Sequence, residues 1–152
     1  MPTIVIECSD LAGARRMGVT LQNHGHRLDT RRLHRGDVVP SDLIDVDAVL
    51  CFGGPQSAND DGLPWMASLL EFIRAAQDAE IPMFGVCLGS QLFARALGGT
   101  VESMDEGPRL GWAGVDLSPD GREDPLHKGL PWNWMQFHWN RDTVKELPDG
   151  MV

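Results

Sequence analysis

Residues 81–99 read IPMFGVCLGSQLFARALGG. Two periodicities meet inside this stretch. Pro82 to Val86 is a short apolar run, which reads as a buried strand. Leu88 to Leu97 carries apolar residues at helical spacing and is stopped by Gly98-Gly99. The junction is Gly85-Val86-Cys87-Leu88-Gly89. A nucleophilic side chain between a strand and a helix, with glycine two residues away on each side, is the pattern of a nucleophile elbow. The central residue sits on a sharp, strained turn, and the glycines leave room for backbone to pass closely. Cys87 is then placed above the carboxyl ends of the strands, where open α/β sheets bind ligands. The following helix aims its N-terminus at the sulfur, where its dipole and free N–H groups favour negative charge. The Leu88 N–H is placed to donate to an oxyanion formed when the thiol attacks a carbonyl.

The segments on either side repeat the theme. Ala48 to Phe52 is apolar without alternation, as expected of a central parallel strand, and ends at Gly53-Gly54-Pro55. A glycine pair there can turn a second N–H toward the same oxyanion. Ile4-Val5-Ile6 reads as another buried strand. Ser9 or Asp10 is expected to cap a helix with Leu11, Ala14, Met17 and Leu21 at helical spacing, ending at Asn23-His24-Gly25. His26 to Leu33 is a weaker strand, and Gly36 to Ser41 a loop. Pro64 suits a helix first turn, with Trp65, Leu69, Phe72, Ile73 and Ala76 following on one face. Strands alternating with helices predict an α/β fold with a parallel sheet.

The later part changes character. Thr100 to Ser103 and Gly114 to Leu117 read as short strands, and Ser118-Pro119-Asp120-Gly121 as a turn. Trp132, Trp134 and Trp139 crowd one segment, for which core packing is the simplest account and an adhesive face the alternative. The chain stops at Met151-Val152, just after Pro148-Asp149-Gly150, where another strand would normally start, which suggests truncation.

Composition narrows the function classes. The 152 residues carry 13 Lys+Arg against 22 Asp+Glu, a formal charge of −9. That sign repels phosphate backbones and anionic lipid heads, so neither nucleic acid nor a membrane is an expected partner. Cys8, Cys51 and Cys87 are too few for a disulfide framework and lack metal-ligand spacing, so no metal is expected. There is no basic leader and no long apolar stretch, so the expectation is a reduced, soluble, cytoplasmic protein. No nucleotide-binding P-loop pattern occurs. A thiolate and an oxyanion hole need no organic cofactor, and none is expected.

Further candidates surround the elbow. Gln91 lies one helical turn after Cys87, where an amide can read a polar group of a small-molecule substrate. A cysteine nucleophile usually works with a histidine base. His24, His26, His34 and His127 read as surface or loop residues. His138, in Gln136-Phe137-His138-Trp139-Asn140, is the one candidate base, although its strand-like, aromatic setting also suits a packed side chain.

Together these segments resemble the class I glutamine amidotransferases, in particular stand-alone proteins similar to the amidotransferase domain of GMP synthase. The resemblance runs along the whole chain: Val49 to Asn59 (VLCFGGPQSAN), Leu63-Pro64-Trp65, Ile81 to Gly99, Leu110-Gly111-Trp112 and Phe137 to Gly150 (FHWNRDTVKELPDG). It implies a flavodoxin-like three-layer sandwich over residues 1–152, with the central sheet incomplete at the C-terminus as the N-terminal two-thirds of the family domain. It also implies hydrolysis of glutamine to glutamate and ammonia. Cys87 would form a γ-glutamyl thioester, Gly54 and Leu88 would supply the oxyanion hole, and Gly53 and Gln91 would help bind glutamine.

The chain departs from the family pattern in two places. No His-Pro-Glu occurs in the 152 residues, and that motif supplies the family's base and orienting carboxylate, so impaired turnover is expected. The family's His-Trp-His-Gly-Asp is here His138-Trp139-Asn140-Arg141-Asp142, which puts a cation where the family has glycine. Two alternatives follow. Arg141 could pair with a carboxylate of a γ-glutamyl peptide or amide. Alternatively, the chain is a non-catalytic module that binds partners or itself through an incomplete sheet.

Overall fold

The computed structural model describes residues 2–151. Four parallel strands form its central sheet: β1 (Pro2–Glu7), β2 (Arg27–Arg32), β3 (Ala48–Cys51) and β4 (Met83–Gly85), in the order β2-β1-β3-β4. The register aligns Ile6 with Cys51, and Cys51 with Gly85. The ends of β1, β3 and β4 therefore sit side by side, and the loops leaving them converge at one edge of the sheet. β1 and β3 are buried on both faces, which explains their unbroken apolar runs. β2 borders the sheet. Its charged sequence, RLDTRR, suits an edge that water reaches and that discourages pairing with other chains.

Three helices cover the sheet: α1 (Arg15–Asn23), α2 (Met66–Asp78) and α3 (Leu88–Ala96). α2 and α3 pack on each other, and α3 also contacts β3 and β4. α2 buries Met66, Leu69, Leu70, Phe72, Ile73 and Ala76, an i, i+3, i+4, i+7 stripe. Each large side chain of that stripe contributes roughly 1.5–3 kcal/mol by leaving water. The strands predicted for this sheet and the Trp65-to-Ala76 face are present, and the parallel α/β architecture is the flavodoxin-like one.

Three local expectations need correction. First, the first helix starts later than its apolar spacing suggests. Ser9 is not its cap, because the Ser9 Oγ accepts from the Leu11 N–H at 3.1 Å in a tight turn. The Glu7 carboxylate then takes the Ala14 N–H at 3.1 Å, and the helix begins at Arg15 without a side-chain cap. Its inner face is Ala14, Gly18 and Leu21, while Leu11 and Met17 are exposed. Second, Pro64 lies in the turn before α2, whose N-cap is Trp65. Third, Ser118 to Gly121 is the start of a short helix, α4 (Pro119–Glu123), rather than an open turn. The Ser118 Oγ caps it by accepting from the Gly121 N–H at 3.0 Å, with Pro119 in the first position.

Four more strands follow the sheet: β5 (Thr100–Ser103), β6 (Arg109–Asp116), β7 (Asn133–Asn140) and β8 (Asp142–Glu146). β5 and β8 pair antiparallel, as do β6 and β7. β5 and β8 lie against α3, whereas β6 and β7 form a ribbon that packs chiefly on itself. Cross-strand pairs Leu110–Trp139, Trp112–Phe137 and Gly114–Met135 fall on one face of that ribbon. Trp112 and Trp139 there are 71% and 73% exposed. The tryptophan-rich segment is thus an exposed face among the described residues, not part of the buried core.

Candidate active site

The elbow forms where the sequence places it. Cys87 has φ 55° and ψ −115°, a conformation that an L-residue adopts only under strain. Two glycines make the turn possible. A Cβ on Gly85 would lie 2.6 Å from the Ser90 nitrogen and 2.7 Å from the Gly89 carbonyl carbon. A Cβ on Gly89 would collide with the carbonyl group of Cys51. The turn is pinned by the Val86 N–H donating to the Cys51 carbonyl at 2.9 Å. It is closed by the Gly89 N–H donating to the Val86 carbonyl at 3.0 Å. The Cys87 thiol is exposed, in contrast to buried Cys8 and Cys51. The Cys51 thiol is held protonated well above the usual thiol range, first by its hydrogen bond with Cys8 and then by burial.

The Gly53-Gly54 loop lies directly against the elbow. A Cβ on Gly53 would sit 3.3 Å from the Cys87 Cβ and 3.7 Å from its Sγ. One on Gly54 would meet Leu88 Cδ2 and Cys8 Cβ, each at 3.2 Å. So the two glycine turns, 34 positions apart in the chain, share one wall. Leu88 is the first residue of α3, so its N–H has no partner within the helix. Among the described residues, neither the Gly54 N–H nor the Leu88 N–H has a protein acceptor. An exposed thiol beside two unpaired amide donors can attack a carbonyl and hold the resulting oxyanion.

Gln91 is on α3 as expected, but it is not a solvated surface amide. It is 7% exposed, and its Nε2 donates to the Asp142 carbonyl at 2.9 Å. The Gln91 backbone N–H donates to the Cys87 carbonyl at 3.2 Å, so the amide hangs one turn below the thiol. Asp142 itself is a buried residue, the aspartate that ends the family-like His138-to-Asp142 segment, and the sequence assigns it no role. Its Oδ2 accepts from the Ser57 hydroxyl at 3.0 Å and its Oδ1 from the Ser103 hydroxyl at 2.8 Å.

Where the histidines have hydrogen-bond partners, those partners lie outside this cluster. Among the described residues no histidine hydrogen-bonds to the Cys87 thiol. His34 bonds the Glu7 carbonyl and Asp10, and the hydrogen bond from His34, followed by that from Arg35, holds the Asp10 carboxyl below the usual carboxylate range. His127 bonds the Gly121 carbonyl and His24 the Thr20 carbonyl. His138 lies on β7 opposite Gly111, with a buried Nε2 that finds no hydrogen-bond partner among the described residues. Asn140 donates to the Asp142 carbonyl at 3.2 Å rather than to an imidazole. Arg141 is exposed. Its carbonyl accepts from the Met104 N–H at 3.0 Å, and its guanidinium has no ion-pair partner among the described residues. No group of three or more metal-binding side chains occurs among the described residues, and no described helix is long and apolar enough to cross a membrane.

Comparison with known proteins agrees with this geometry. The sequence model of the class I glutamine amidotransferases matches residues 13–152. A Natronomonas pharaonis protein, named as one subunit of a glutamine-hydrolyzing GMP synthase, is 34% identical over 142 residues, 87% of this chain and 70% of that protein. A crystal structure of a glutamine amidotransferase from Methylobacillus flagellatus superposes with a TM-score of 0.86 at 33% identity, covering 99% of this chain. The chain spans 59% of that protein's length. One from Thermotoga maritima superposes with the same TM-score at 24% identity and shares the fold, with 64% of its length spanned. A strained cysteine elbow, a glycine loop against it and a match over nearly the whole sequence lead to one conclusion: this chain belongs to the class I glutamine amidotransferase family.

Proposed function

We propose that the chain carries the glutaminase half-site of an amidotransferase, with Cys87 as nucleophile. The observation that supports it most directly is the exposed Cys87 thiol at positive φ, beside two amide donors that no group among the described residues takes up. In this reading the sulfur attacks the side-chain carbonyl carbon of glutamine. The carbonyl π electrons move to oxygen, and the N–H groups of Leu88 and Gly54 receive that oxyanion. The oxyanion collapses, the C–N bond breaks, and the amide nitrogen leaves as ammonia after taking a proton. Water then attacks the γ-glutamyl thioester, releasing glutamate and restoring the thiol. Gly53 and Gln91 are assigned to the substrate side of the pocket. The described residues offer no histidine bonded to Cys87, so slow turnover by this chain is part of the proposal. Relatives named as one subunit of a glutamine-hydrolyzing GMP synthase support use of the ammonia by a separate synthetase chain.

The test is intact mass after exposure to 6-diazo-5-oxo-L-norleucine, a glutamine-like diazoketone. The thiol proton goes to the diazo carbon, dinitrogen leaves, and a thioether forms at sulfur. A single adduct on the native chain, absent in Cys87→Ala, is expected. No adduct, or one that survives in Cys87→Ala, overturns the reading.

The exposed guanidinium of Arg141, without an ion-pair partner among the described residues, favours a second reading of the substrate, a γ-glutamyl compound carrying a further carboxylate. Under it, γ-glutamyl dipeptides should be hydrolysed in preference to glutamine, and Arg141→Gly should reverse that order. An unchanged order removes the support.

A further inference from the structure

Asp142 spends its whole side chain on two serine hydroxyls. It is 8% exposed, and no cation pairs with it among the described residues. Burying a carboxylate without a cation is expensive, and an apolar pair of similar volume would hold the same elements at no greater cost. Its placement shows what the bonds accomplish. Ser57 lies three residues beyond Gly54 in the glycine loop. Ser103 is the cross-strand partner of Asp142 on β5. The Asp142 main-chain carbonyl takes Gln91 Nε2 at 2.9 Å and Asn140 Nδ2 at 3.2 Å. One residue therefore joins the glycine loop, the helix that carries the elbow, and β5.

The other anchors of that loop lie to either side. Gln56 Nε2 donates to the Cys8 carbonyl at 2.9 Å on one side, while Arg95 donates to the Ala58 carbonyl at 2.6 Å and Asn59 Nδ2 to the Val101 carbonyl at 2.8 Å on the other. The Ser57–Asp142 bond closes the span between them. Without it, the Ser57 side chain keeps only its Oγ contact with the Asn59 N–H, at 3.2 Å, beside the main-chain turn in which the Asp60 N–H donates to the Ser57 carbonyl at 3.2 Å. Resting on the assignment of Cys87 as a glutaminase nucleophile, we propose that Asp142 is a positioning residue. Through Ser57 it sets where the Gly54 N–H stands relative to Cys87, and through its carbonyl it fixes the Gln91 amide.

The prediction separates the two serines. Cys87 alkylation by 6-diazo-5-oxo-L-norleucine is followed over a range of concentrations, giving a maximal rate and a half-saturating concentration. Ser57→Ala is expected to lower the maximal rate about tenfold, the scale of a small misplacement of a catalytic group. Its half-saturating concentration should stay within about twofold, because the Gln91 amide and its hydrogen bond to the Asp142 carbonyl are untouched. Asp142→Ala should do the same or worse, and Asp142→Asn, which keeps an acceptor for Ser57, should recover much of the loss. Ser103→Ala removes the other hydroxyl but does not touch the loop, and its rate should match the native chain. Iodoacetamide, which needs no glutamine pocket, should alkylate every variant at the native rate.

Equal losses in Ser57→Ala and Ser103→Ala, a parallel loss with iodoacetamide, or no loss at all would each overturn the proposal. Should the native chain form no diazoketone adduct, the glutaminase reading itself fails. Amide hydrogen exchange of residues 53–59 then decides the positioning claim. Faster exchange in Ser57→Ala and Asp142→Ala than in Ser103→Ala upholds it, and equal exchange overturns it. Ser57→Ala, which removes a single hydroxyl, keeps the comparison open even if Asp142→Ala does not fold.

Discussion

Gly89→Ala is expected to be the most damaging single-methyl change in the chain. The added Cβ would enter the carbonyl group of Cys51, which already accepts the Val86 N–H. Both sides of that contact are backbone: α3 on one side and the central strand β3 on the other. Neither can step aside without moving its element. Overpacking of a well-filled interior costs typically about 1–3 kcal/mol, and a backbone-against-backbone clash belongs at the upper end. For a chain of this length that corresponds to a fall of about 6–12 °C in Tm. Gly114→Ala is the matching control, because nothing lies within 4 Å of a Cβ there and its backbone is ordinary. Thermal unfolding followed by circular dichroism should show a large fall for the first and almost none for the second. A Gly89→Ala chain with native Tm would mean that α3 is not seated closely on β3.

Cys87→Gly should raise stability while abolishing the thiol's chemistry. A non-glycine residue at φ 55° and ψ −115° stores about 1–3 kcal/mol of strain. Glycine relieves it, but loses about 0.5–1 kcal/mol to the greater freedom of the unfolded chain. The net expectation is a gain of about 1 kcal/mol, or about 2–4 °C in Tm. Cys87→Ala removes the thiol and keeps the Cβ, so it keeps the strain. Glycine melting above alanine identifies the gain as backbone relief. If alanine melts as high as glycine, the elbow is not strained and the thiol alone was destabilising.

What could be read in advance was what depends on neighbours in the chain. The elbow needs a strand, a glycine, a nucleophile, a glycine and a helix within some fifteen residues, and all are written between Pro82 and Leu97. The glycine loop after β3 is legible for the same reason. The start of α1 was not, because a hydroxyl and a carboxylate outcompeted the apolar spacing: Ser9 turned onto Leu11, and Glu7 reached Ala14. Pattern alone could not foresee that Glu7 would lie beside Gly13. The role of Asp142 was not legible for a different reason. Its partners Ser57, Gln91 and Ser103 lie 85, 51 and 39 residues away, and no local rule links them. The available signals were its place at the end of the family-like His138-to-Asp142 segment and the β-branched Thr143 and Val144 after it, and neither tells what its side chain holds. The tryptophan segment misled through composition. Crowded tryptophans suggest core packing, but the ribbon that carries Trp134 and Trp139 packs chiefly on itself and leaves both outside the buried core.

The exposed ribbon has a consequence for how this protein can be watched in the cuvette. It contains five tryptophans and no tyrosine, so its ultraviolet emission is all indole. Only Trp65 is buried, while Trp112, Trp132 and Trp139 face solvent and Trp134 is half-buried. Native emission is therefore already red-shifted, and unfolding moves little of it further. The wavelength change that does occur comes from Trp65, at the N-cap of α2. Intrinsic fluorescence thus reports the seating of one helix, and a flat trace on heating would not mean that the sheet had survived.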